Sequence, residues 1–85
     1  MDIQKIKSIL MKSISSLENV YIKGDNNHIE IIAIGKIFLG MKHVKQQQTI
    51  YIPLMQYFTN QIIHSVSIKT FTPQEWNQEK NNHTL

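Results

Sequence analysis

The sequence predicts an α+β fold: a single domain with a three-stranded mixed sheet and helices on one face, in the order α-β-β-α-β-α. Three observations predict it. Apolar residues recur at three- and four-residue steps near the start of the chain. The turn-rich segment Gly24-Asp25-Asn26-Asn27 separates two strand-like runs. A third such run, at 63–71, leads into an over-specified helix start at Thr72. A helical segment lies between the second and third strands, so the third is free to run parallel to its neighbour. At 85 residues the chain has material for one core and not two.

Each element has its own warrant. Ile3, Ile6, Leu10, Ile14 and Leu17 place one apolar stripe on a helix over about residues 2–17, with Asp2 as its N-cap. Val20-Tyr21-Ile22-Lys23 reads as a short strand and 28–34 as a longer one, joined as a hairpin. Gly35 and Gly40 bracket Lys36-Ile37-Phe38-Leu39, a loop whose apolar residues are expected to tuck under the sheet. From Val44 to Thr59 the spacing of Val44, Ile50 or Tyr51, Leu54 and Phe58 is helical. Pro53 inside that stretch implies a kink or two helices in succession. Along 63–71, alternation puts His64 on the apolar face with Val66, Ile68 and Thr70, and Ser65, Ser67 and Lys69 on the other. Thr72 at N-cap, Pro73 at N1 and Glu75 at N3 form a capping box, and Phe71 and Trp76 have the spacing of a hydrophobic staple. Trp76, Met41 and Met55 read as packing residues. The domain spans 1–77, and 78–85 is expected to be a polar, flexible tail.

Composition narrows the chemistry. The absence of cysteine excludes disulfides, thiol nucleophiles and thiolate metal cages made by this chain alone. The net charge is +3 and every basic residue is lysine. Without guanidinium forks, nucleic-acid binding is allowed by charge but not favoured by residue type. Lys36, Lys42, Lys45 and Lys69 are the candidates for a basic patch; a solvated surface is the preferred reading, and steering of an acidic partner another. No apolar run approaches the roughly 18 residues of a membrane span. The amphipathic N-terminal segment does not resemble a signal peptide, so a cytoplasmic location is expected. No nucleophile–base pair, phosphate loop or dense cluster of histidine and carboxylate supports an enzyme. His43 reads as solvated and His83 as a tail residue.

The segment Ile63-His64-Ser65-Val66-Ser67-Ile68-Lys69-Thr70-Phe71-Thr72-Pro73-Gln74-Glu75-Trp76 is similar to the C-terminal signature of BolA-like proteins. Gly24-Asp25-Asn26-Asn27-His28-Ile29-Glu30, Phe38-Leu39-Gly40-Met41 and the run from Val44 to Met55 extend the likeness over about residues 2–77, towards the short bacterial IbaG-like branch. The resemblance implies a type II KH-like fold and a heterodimer with a monothiol glutaredoxin around a shared, bridging [2Fe–2S] cluster. The glutaredoxin cysteine and a glutathione would supply thiolates, and His64 corresponds to the signature histidine ligand. Many members carry a cysteine or histidine in the loop between the first two strands. Here that loop holds neither, so His28 at the strand entrance is the candidate second ligand, with Asp25 or an outside thiol as alternatives. The docking face is then the hairpin loop and the end of the third strand. A chain without cysteine enters a cluster only by adding nitrogen to another molecule's sulfur. Such ligation raises the potential and requires neutral imidazole. The family also suggests a stress-response role, a weak homodimer, and an alternative as a DNA-binding regulator using the lysines and the helix from Val44. Gly40-Met41-Lys42-His43 lacks the second glycine of the KH backbone clamp.

Overall fold

Residues 2–82 are described in the computed structural model of the chain. Asp2 caps the first helix, α1 (Ile3–Ser13), by accepting the main-chain N–H groups of Gln4 and Lys5. Ile6 and Leu10 on its inner stripe are fully buried. The helix stops earlier than the apolar spacing predicts. Ile14 and Leu17 are buried, but Ser15 and Ser16 turn the chain, and Leu17 pairs with Gly35 as the first residue of β1 (Leu17–Gly24). Apolar residues three apart suit a turn into the core as well as a helix, so spacing alone does not separate the two.

β1 pairs antiparallel with β2 (Ile29–Gly35), and β2 pairs parallel with β3 (Val66–Phe71), giving the expected mixed sheet in the order β1-β2-β3. A bulge interrupts β1 between Leu17 and Asn19, where the Asn19 side-chain oxygen accepts the Val20 N–H at 2.8 Å. On one face of the sheet lie α1, α2 (His43–Tyr51), a single 3₁₀ turn at Ile52–Leu54, and α3 (Met55–Thr59). Pro53 sits in that turn, so the helical stretch divides where the missing N–H predicts.

The last helix departs from the one-face arrangement. Ile29, Ile31 and Ala33 of β2 join the core under α1, whereas Ile32 and Ile34 pack with Trp76 on the other side. Helix α4 (Pro73–Glu79) therefore covers the opposite face. The continuous apolar run 31–34 explains this, because a strand buried on both sides has no polar face to alternate with. Trp76 stacks on Tyr21 with centroids 5.5 Å apart and meets Phe71 at 5.4 Å, so the staple forms. The capping box forms as well: Glu75 N–H donates to Thr72 Oγ1, and Thr72 N–H donates to Glu75 Oε1. Lys80–Asn82 continue as an exposed 3₁₀ turn. The remainder of the expected tail, with His83, lies outside the described residues.

Helix α2 is fastened differently from its apolar spacing. Val44 and Met55, expected inward, are 68% and 48% exposed, and Leu39 in the preceding loop is 79% exposed while Phe38 is buried. Ile50 and Leu54 do face the core, and two glutamines complete the attachment. Gln46 Nε2 donates to the carbonyls of Phe38 and Met41, both at 3.0 Å, and its Oε1 accepts the Thr70 hydroxyl at 2.8 Å. Gln47 Nε2 donates to the Ile68 carbonyl at 2.8 Å. That carbonyl points away from β2, because Ser65 O accepts from Ile29 and the bonds to β2 fall on alternate residues of β3.

Gln46 thus ties the 36–41 loop, α2 and β3 through one side chain. Truncation to alanine leaves the Met41 carbonyl and the Thr70 hydroxyl in need of new partners, while the Phe38 carbonyl keeps only the Met41 N–H. Gln46→Ala is expected to lower stability by about 1–3 kcal/mol, read as a lower urea midpoint at unchanged m-value.

Candidate functional site

The parallel pairing of β2 and β3 sets the site. Parallel neighbours enter the sheet at the same end, so the residues just before Ile29 and Val66 lie side by side. Those residues are His28 and, on the other chain segment, His64 and Ser65. The ladder extends beyond the strands: Ile29 N–H donates to Ser65 O at 3.1 Å, and His64 N–H donates to Asn26 O at 2.9 Å. Both histidines are exposed.

His64 does not share the apolar face of β3. The strand begins at Val66, and His64 sits in a bend before it, leaving Val66 and Ile68 to pack against the core. The chain leaves α3 through Gln61, a non-glycine residue at φ 58°, and the N–H groups of Ile62 and Ile63 both donate to Tyr57 O. Ile63 is buried and anchors the bend from below. An alternation extrapolated backwards from the strand fails at this turn.

The hairpin loop fixes His28. Asp25 Oδ1 accepts the N–H groups of Asn27 and His28, at 2.9 and 3.3 Å, and Asp25 N–H donates to His28 O at 3.1 Å. Asp25, the alternative ligand, therefore spends one carboxylate oxygen on holding the turn. Gly24 enters the loop at φ +119°, and a Cβ there would fall on the His28 carbonyl oxygen and crowd Ile29 Cα. The ring of His28 reaches across the ladder: Nδ1 lies 2.7 Å from Ser65 Oγ, and Ser65 Oγ donates to Asn27 O at 2.9 Å. No local signal in the sequence exposes Ser65, because its partners are 37 and 38 residues away.

Other candidates lie elsewhere. His43 opens α2 and is exposed. Lys42 and Lys45 belong to the α2 layer. Lys69 stands opposite Ile32, on the alternate residues of β3 that face the α4 side. Lys36 begins the 3₁₀ turn after β2. The lysines are exposed but divided between the two faces of the sheet. Among the described residues, no three histidine, cysteine, aspartate or glutamate side chains converge as a metal site. What the structure brings together is two chain segments that carry exposed histidines, His28 and His64, on adjoining strand entrances.

Fold and site define a small α+β protein with two exposed histidines at the adjoining entrances of two parallel strands. The chain belongs to the BolA-like protein family, whose match covers residues 5–75. It is 46% identical over 80 residues to the acid stress protein IbaG of Escherichia coli K12, covering 94% of each chain. Against the protein BU385 of Buchnera aphidicola from Acyrthosiphon pisum, identity is 50% over 80 residues, covering 94% of this chain and 99% of that one. A solved structure of a BolA homologue from Coxiella burnetii is similar, with a TM-score of 0.76 and 26% identity over 91% of this chain and 97% of that one. The family and fold expected from the sequence are those found. No helix among the described residues is long and apolar enough to cross a membrane.

Gly24 sets the position of His28 through the backbone alone. Gly24→Ala is expected to cost about 1–3 kcal/mol and to move the amide resonances of His28 and Ser65, while those of α4 stay in place.

Proposed function

We propose that the protein is a non-catalytic adaptor in iron–sulfur trafficking that pairs with a monothiol glutaredoxin in the cytoplasm and shares a bridging [2Fe–2S] cluster with it. His64 is one nitrogen ligand and His28 the second, while the partner's cysteine and a glutathione contribute thiolates. The observation that carries the reading is the pair of exposed histidines on adjoining strand entrances, each held through its own backbone N–H. The donor set fits. Two imidazoles are half of what such a cluster needs, and a chain without cysteine leaves the thiolate half to another molecule. Nitrogen ligation supplies a centre of higher potential than four thiolates give.

The rest of the chemistry belongs to this chain's own residues. Neutral imidazoles hold the iron side, so acidification weakens the complex as protons compete for the ring nitrogens. The hairpin loop and the bend at 64–65 form the face that meets the glutaredoxin. A stress-response role is carried over from the acid-stress name of the E. coli relative.

The test is a titration of cluster-loaded glutaredoxin with this protein, followed by visible absorption and circular dichroism. Wild-type protein is expected to change the cluster spectrum to that of a mixed nitrogen–sulfur site. His64→Ala should abolish the change. An unaltered spectral response in that variant sinks the ligand assignment.

A further inference from the structure

We infer that Ser65 is a positioning residue that fixes the tautomer of His28, holding the proton on Nδ1 and leaving the Nε2 lone pair available. Its consequence for metal binding rests on the function proposed above; its evidence does not. Ser65 Oγ stands 2.7 Å from His28 Nδ1 and 2.9 Å from the Asn27 carbonyl oxygen. A hydroxyl has a single proton to give, and a carbonyl oxygen only accepts. The Ser65 proton is therefore committed to Asn27, and the contact with His28 is satisfied only if Nδ1 is the donor. In a neutral imidazole one nitrogen is protonated, so Nε2 is left as the acceptor. Free neutral histidine favours the reverse arrangement, with the proton on Nε2.

The relay is built on main-chain geometry. Ser65 O accepts from Ile29 N–H, and the next residue back, His64, is bonded to Asn26 O, so the serine cannot slide along the ladder without breaking both. His28 is fixed on its other side, with its N–H on Asp25 Oδ1 and its carbonyl accepting from Asp25 N–H. Among the described residues Nε2 has no hydrogen-bond partner. A histidine whose second ring nitrogen is held by a hydrogen bond presents the first to a metal in one orientation and one tautomer. In the opposite tautomer the only lone pair would be on Nδ1, which faces Ser65 and is screened from a partner.

The measurement is a long-range 1H–15N correlation spectrum of the uniformly labelled protein, recorded at a pH where the imidazoles are neutral, with exposed His43 as internal reference. Wild-type His28 is expected to show a protonated Nδ1 and an unprotonated Nε2. Ser65→Ala should move the tautomer ratio towards Nε2–H by about five-fold, the worth of one net hydrogen bond, and Ser65→Thr, which keeps the hydroxyl, should restore it. A wild-type His28 protonated on Nε2, or a ratio unmoved in Ser65→Ala, overturns the inference. The wild-type spectrum decides the point even if a variant folds poorly. Titrating cluster-loaded glutaredoxin with the same variants separates the two claims. A shifted tautomer with unchanged capture of the cluster removes His28 from the ligand set and leaves the role of Ser65 standing.

Discussion

Everything distinctive about this small domain depends on the parallel pairing of β2 with β3. An antiparallel third strand would put the entrance of β3 at the far end of the sheet from the hairpin loop, and His28 and His64 would lie a strand's length apart. Parallel pairing requires a long return path, which the chain spends on α2, the turn at Pro53 and α3. Those elements are also the layer that buries Ile31, Ile29 and Val66. The connection that makes the site therefore also makes the core.

The central strand meets this arrangement with a run of isoleucines that serves two cores. Ile29 and Ile31 face one layer, Ile32 and Ile34 the other. The second core is small, holding the strand with one tryptophan flanked by Tyr21 and Phe71. Its capping box and staple set the exit of β3 at the end opposite the histidines. The strand is thereby gripped at both ends: by α4 at its exit, and by the bonds of His64 and Ser65 to the loop and to Ile29 at its entrance.

Local chemistry was legible in the sequence wherever the partners are close in the chain. The Asp2 cap, the Thr72–Glu75 box, the Phe71–Trp76 contact and the break at Pro53 are all decided within five residues. So was the family, from the segment around His64. What escaped depends on distant partners. Leu17 leaves the helix because Gly35 claims it. His64 falls outside β3 because the strand beside it begins only at Ile29. Gln46 and Gln47 read as ordinary polar residues, yet their partners at Thr70 and Ile68 come from another element. For the site, the histidines were visible as residue types, but the contact of the His28 ring with Ser65 was not.

A three-stranded sheet has two outer strands, each offering main-chain groups that an unrelated chain can pair with. Here both carry a side-chain amide already in that place: Asn19 on Val20 N–H in β1, and Gln47 on Ile68 O in β3. In a domain so rich in isoleucine, uncovered edges would invite stacking into aggregates. Each amide occupies one main-chain group that an added strand would need.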